Sequence, residues 1–144
     1  MLAVTASMKF FVKELDYSTR SRVEVIDITS DVEGVVRESG VRNGIVLVFA
    51  PHATAAVVLN EAEEGLMRDI VNKILELFPR EGNYAHNLID DNANSHLASA
   101  FLGQGKVIPL VNGSMVRGTW QNILLIELDG PRARRRIVVE VIGE

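Results

Sequence analysis

The chain has no cysteine among its 144 residues. Disulfides, thiolate metal sites and thiol nucleophiles are thereby excluded, and any bound metal must be held by nitrogen and oxygen. Also missing is an apolar run long enough to cross a bilayer as a helix, and the first residues do not carry the pattern of a secretory signal. A cytoplasmic protein with no membrane partner is the expectation. There is no excess of positive charge: 15 Lys and Arg against 19 Asp and Glu leave a formal net charge of −4, which gives no ground for a nucleic-acid partner. No HExxH pair, P-loop or Gly-rich dinucleotide fingerprint occurs. No repeat, linker or low-complexity run divides the chain, so residues 1–144 read as a single domain, long enough to bury a core.

What is present is largely apolar: hydrophobic residues make up 47% and the mean hydropathy is +0.15. A generous core accounts for this, and burial in an oligomer is a second outlet. β-branched and aromatic content predicts strands at 4–14 and 22–28 with a turn at 18–21. Thr29 and Ser30 offer N-caps for a helix over 30–39 that ends at Gly40. IVLVFA at 45–50 is a continuous apolar run, expected as a strand buried on both faces, and 55–59 is a further short strand. Asn60 is then expected to cap a helix over 61–78 whose apolar stripe is Leu66, Ile70, Ile74 and Phe78, with Pro79 stopping it. Residues 80–91 lack periodicity and read as a loop of the length that is usually functional or disordered. A helix over 92–102 follows, stopped by Gly103, with Asn92 and His96 on one face and Leu97 and Phe101 away from it. Strands at 106–111, 122–128 and 135–142 complete the chain, joined by a glycine-marked stretch at 112–121 and a turn at Asp129-Gly130-Pro131. The order ββα, ββα, α, βββ is that of an α+β fold.

One stretch concentrates chemistry. Residues 84–101, YAHNLIDDNANSHLASAF, hold two of the three histidines, with Asn87, Asp90, Asp91, Asn92 and Asn94 between them. A bound polar ligand explains that density, and so does a polar loop leading to a capped helix. His52, His86 and His96 come from three separate elements and could converge on one divalent ion, leaving an open position as catalytic zinc sites do. The alternative is three independent histidines, one on the surface, one capping and one structural. Among the acids Glu61 stands out, because it follows His52 by one strand and is expected at the same end of the sheet; a place in the field of a helix N-terminus explains it equally. Asp90, Asp91, Glu127 and Asp129 are further candidates, and Asp69 reads as a solvated helix residue. The tail carries Arg117 and a run through Arg132, Arg134, Arg135 and Arg136, of which Arg132 suits phosphate; a solvated strand edge or a salt-bridge strip at a subunit contact suits the run as well. Trp120 is expected in the core.

Three segments together, PHATAAVVLNEAE, then YAHN with NANSHLASAFLGQG, then GTWQNILLIELDGPRARRRIVV, resemble the YjbQ-like family, also called secondary thiamine-phosphate synthases. The likeness covers nearly the whole chain. It implies an α+β fold of two packed, mostly antiparallel sheets, sandwich-like, with two or three helices, assembled as a homotrimer. It implies a divalent ion, zinc before magnesium, near His52, His86 and His96. It further implies catalytic roles for Glu61, Asp90 and Arg132 and binding roles for Asn60, Asn94 and Gln121. The activity implied is a weak or secondary transferase reaction on a small phosphorylated molecule, joining a pyrimidine pyrophosphate to a thiazole phosphate with loss of pyrophosphate. Magnesium suits that chemistry, whereas three imidazoles suit zinc. Metal-dependent hydrolysis, with Glu61 or Asp90 as base, and a non-catalytic trimeric protein that binds a metal or metabolite are the alternatives. One departure is visible: Ala53 stands before Thr54, where many family members carry a second hydroxyl residue.

Overall fold

Alternation with a period of two governs this chain, and its last strand displays it most plainly: every second residue from Arg135 to Gly143 is buried. A computed structural model describes residues 7–144. In chain order its elements are β1 (Lys9–Tyr17), β2 (Glu24–Asp27), α1 (Thr29–Ser39), β3 (Gly44–Phe49), β4 (Ala55–Asn60), α2 (Glu64–Leu77), α3 (Ala93–Leu102), β5 (Gly105–Val111), β6 (Ser114–Met115), β7 (Asn122–Glu127) and β8 (Arg135–Gly143). The strands form two antiparallel sheets, one ordered β1-β8-β3-β5-β6 and the other β2-β7-β4. This is the α+β arrangement of two sheets and three helices expected from the sequence.

The main core lies between the sheets. Val46 and Val48 of β3 and Ile137, Val139 and Val141 of β8 face Ala55 and Val57 of β4 and Ile123 and Leu125 of β7, and Val32, Val35 and Val36 of α1 close one side. The other face of β7 and β4 is covered in turn, with Ile126, Leu128 and Ala56 packing against Ile74 of α2 and Ala98 of α3. β7 is therefore apolar on both faces, as a strand between two layers must be.

Several boundaries differ from those expected, each for a local reason. Of the strand expected at 4–14, residues 4–6 lie outside the described residues, and β1 runs on to Tyr17 because it pairs with β8 along its whole length. Helix α1 begins at Thr29 without a hydroxyl cap; the Asp27 carboxylate instead accepts from the Thr29 N–H at 3.0 Å. Asn60 does not cap α2, because it still belongs to β4 and pairs with Asn122. The cap is Glu63, whose carboxylate accepts from the N–H groups of Gly65 and Leu66 at 2.9 and 2.5 Å. Glu61 consequently lies in the connector and not on the helix. The loop at 80–91 contains a 3₁₀ turn, Ala85–Leu88. Trp120 is exposed in the turn before β7 and is not a core residue.

Two further differences concern faces. β3 is buried on one side only: Val46 and Val48 point inward while Ile45 and Phe49 are exposed. On α3 the expected polarity is reversed, since Ala93, Asn94, Ser95, Ala98 and Ser99 are buried and Phe101 is 78% exposed. The small side chains let the helix approach the sheet closely. Ser95 Oγ donates to the Leu128 carbonyl at 2.5 Å and Ser99 Oγ to the Ala55 carbonyl at 2.7 Å. No helix of the described residues is long and apolar enough to cross a membrane.

Candidate functional site

The 3₁₀ turn and the first turn of α3 bring His86 and His96 together. Their ring centroids are 4.8 Å apart and the planes meet at 70°, an edge-to-face contact. They line a cleft of about 530 Å³ whose other walls include Asn83, Tyr84 and Leu97. Tyr84 is held by its hydroxyl, which donates to the Pro79 carbonyl at 2.7 Å. The start of α3 is tied to the same turn, because Asn87 Oδ1 accepts from the Ala93 N–H at 3.2 Å.

A chain of polar contacts runs from this pair into the interior. His86 Nε2 lies 3.2 Å from Asn92 Oδ1, and Asn92 Nδ2 donates to Asp129 Oδ2 at 2.8 Å. Asp129 is clamped by two arginines, with Arg22 Nη1 3.3 Å from its Oδ1 and Arg132 Nη2 3.0 Å from its Oδ2. The Asp129 N–H donates to Glu127 Oε1 at 2.9 Å. Glu127 in turn is fully buried against Arg135, whose Nη2 lies 2.6 Å from Oε1, and it accepts from the Thr19 hydroxyl at 2.8 Å. Burial works to raise the Glu127 carboxyl, but the bonds from Arg135, the Asp129 N–H and Thr19 outweigh it and hold the group below its ordinary value. Arg135 also donates to the Thr54 carbonyl and hydroxyl at 3.0 and 2.9 Å.

The other expected site residues distribute as follows. His52 stands apart from the histidine pair: its Nε2 lies 3.0 Å from the carbonyl oxygen and 3.1 Å from the amide nitrogen of Arg136. Burial pushes its imidazole below the ordinary value, and the charges of Arg135 and Arg136 add to the shift. No three His, Asp or Glu side chains of the described residues form a metal-binding group within one chain. Asp90 is exposed in the loop, its carboxylate accepting from the Asp91 N–H at 2.8 Å, while Asp91 pairs with Arg80 at 3.1 Å. Asn94 is buried and points away from the cleft; its Nδ2 donates to the Phe78 carbonyl at 3.3 Å and ties α3 to the end of α2.

Asn60, Glu61 and Gln121 form a separate group. Gln121 Oε1 accepts from the Gly118 N–H at 2.7 Å, and Asn60 pairs with Asn122 at the start of β7, whereas Ala55 pairs with Glu127 at its end. The five steps of β4 from Ala55 to Asn60 thus separate this group from His52 and the Glu127 network, roughly 17 Å at about 3.3 Å per step. Traversing one strand puts Glu61 at the opposite end of the sheet from His52, not at the same end. Sequence reasoning gave Arg22 and Asn92 no role, and it offered Asp129 only as one of several candidate acids. Asp129 had a signal, its place in the Asp-Gly-Pro turn, while nothing about Arg22 in the chain marks it.

A two-sheet α+β domain with a histidine cleft at the edge of its smaller sheet defines the class. Residues 13–144 match the family model described as UPF0047 protein YjbQ-like, and the chain belongs to that family. A UPF0047 protein of Methanothermobacter thermautotrophicus is 49% identical over 137 residues, covering 95% of each chain. The crystal structure of a YbjQ-like protein from Sulfolobus solfataricus is similar with a TM-score of 0.94 at 51% identity, covering 96% of this chain and 100% of that one. A hypothetical protein from Aeropyrum pernix gives a TM-score of 0.90 at 44% identity over 92% of this chain and 98% of that one.

Proposed function

We propose that the chain is a metal-binding enzyme of the secondary thiamine-phosphate synthase type, acting on a small phosphorylated substrate, with His86 and His96 holding a divalent ion. The observation that carries this reading is the edge-to-face pair of imidazoles at 4.8 Å in an open cleft, one ring hydrogen-bonded to an amide that is itself clamped by a carboxylate. The donor set fits zinc better than magnesium, because two neutral imidazoles and no thiolate favour a borderline ion. Such an ion, when bound, would offset charge developing on a pyrophosphate leaving group. Arg132 is half-exposed while its Nη2 lies 3.0 Å from Asp129, which leaves part of its guanidinium to meet an anion.

The reading includes self-association. Two imidazoles supply half of a tetrahedral set, and a second copy is the source we propose for a further donor, His52 first among the candidates. A homotrimer is supported by the apolar outer face of the larger sheet. There Phe10 pairs with Ile142, which pairs with Ile45 and so with Pro109, while Val12, Leu47 and Val107 fall in the next row. Phe10, Val12, Ile45 and Val107 are all exposed in the single chain, as are Leu88, Ile89 and Phe101 beside the histidine cleft. A ring of copies would also offer a way to bring Asn60, Glu61 and Gln121 of one chain toward the histidines of the next.

Elemental analysis of untagged protein, wild type beside His86→Ala, tests the ion. About one zinc-like ion per chain, lost in the variant, is the expected result; its absence from both samples overturns the metal reading. A second reading, a trimeric metal-binding protein without turnover, draws on the fact that no described carboxylate hydrogen-bonds either ring. Turnover of the pyrimidine and thiazole phosphates by the ion-loaded protein separates the two.

A further inference from the structure

We infer that Asn92 is a positioning residue that fixes His86 in the Nε2–H tautomer, so that Nδ1 is the ring nitrogen presented to a ligand or a substrate proton. This deepens the reading above by naming the atom. Asp129 is held between Arg22 at 3.3 Å and Arg132 at 3.0 Å and offers only acceptors. Asn92 is buried, with a polar atom 2.8 Å from Asp129 Oδ2. That atom must be the amide nitrogen, since the flipped amide would set its oxygen against a carboxylate oxygen. The Asn92 oxygen is then forced toward His86.

At 3.2 Å from Asn92 Oδ1, His86 Nε2 faces an acceptor and must carry the proton. A neutral ring holds one N–H, so its lone pair lies on Nδ1. No described residue hydrogen-bonds that nitrogen or either nitrogen of His96. Each orientation therefore follows from the one before it. The Asp129 N–H bond to buried Glu127, at 2.9 Å, anchors the series in the core. The same amide contact fixes which edge of the His86 ring turns to the cleft, which sets the geometry available to a bound ion or phosphate ester.

The test uses metal-free, isotopically labelled full-length protein, so that it is independent of whether an ion binds. Ring-nitrogen correlation spectra are recorded in alkaline buffer, where imidazoles are neutral. The expected result is a protected Nε2–H proton on His86 that exchanges slowly with solvent, beside a bare Nδ1. Asn92→Leu should abolish that protection while leaving the backbone amide spectrum outside the turn unchanged. Asp129→Asn keeps the shape but lets the Asn92 amide flip, so both His86 tautomers should be populated. A protonated Nδ1 in wild type, a ring N–H that exchanges freely, or an Asp129→Asn protein with the wild-type pattern each overturns the inference. Should Asn92→Leu fail to fold, the Asp129→Asn spectrum decides alone. Absence of metal from the untagged wild-type protein, with the tautomer intact, would instead count against the ion and leave the positioning role standing.

Discussion

Glu127 and Arg135 join the two sheets through an ion pair of 2.6 Å between Oε1 and Nη2, with side chains 0% and 5% exposed. One residue ends β7 in the smaller sheet and the other begins β8 in the larger. Both carry their full complement of partners on the Glu127 side: the carboxylate accepts from Arg135 twice, from Thr19 and from the Asp129 N–H. Removing one charge leaves the other buried and unpaired. Glu127→Ala is expected to cost about 3–5 kcal/mol in urea unfolding, while the paired change Glu127→Leu with Arg135→Met should recover much of the loss. Equal losses in the single and paired variants would show that the contact is worth no more than its packing.

The same carboxylate links stability to acid. Its folded value lies below the ordinary 4.5, so the stability it contributes is complete above pH 4.5 and is lost as pH falls through the folded value. Wild type should therefore lose stability over that window more steeply than Glu127→Gln, by up to one proton. Parallel slopes for the two proteins would contradict the assignment.

Helix α2 provides a check on its own starting point. Glu63→Ala removes the acceptor for two backbone N–H groups and should lower the midpoint of thermal unfolding. Asn60→Ala should cost less, because Asn60 sits in β4 and caps nothing on that helix.

The outer face of the larger sheet can be challenged without harming the chain beneath it. Leu47 pairs directly with Glu140 on β8, so Leu47→Lys creates an opposite-charge cross-strand pair in the single chain. The variant should remain folded by circular dichroism yet sediment as a smaller species than wild type. Unchanged mass for both would remove this face from the proposed assembly.

Much of the fold was legible because the strands alternate and the helix stops are glycines: Gly40 sits at φ 70° after α1 and Gly103 at φ 88° after α3. Pairing order was not legible, since nothing local says that β8 inserts between β1 and β3. Helix start points failed where a strand ran longer than its apolar residues, as at Asn60. Of the site, the histidine-rich stretch was visible as a density of polar side chains, and the structure does bring His86 and His96 together. The position of His52 and the separation of Glu61 depend on strand direction and pairing, which spacing along the chain does not encode. Asn92 drew no role because an asparagine before a helix has an ordinary reading as a cap, and its actual partners are 6 and 37 residues away.

The reversed face of α3 changes how substitutions there should be ranked. Hydropathy would mark Leu97 and Phe101 as the constrained positions and Ser95, Ala98 and Ser99 as free to vary. The helix rests on the sheet through its smallest side chains, so the constrained quantity is volume. A leucine at Ser99 would satisfy any hydropathy scale and still lift the helix off the Ala55 carbonyl, carrying His96 with it, whereas Phe101, largely exposed, meets the chain at Phe78 with ring centroids 5.5 Å apart. Drift along this segment is thus gated by size on the face that meets the sheet.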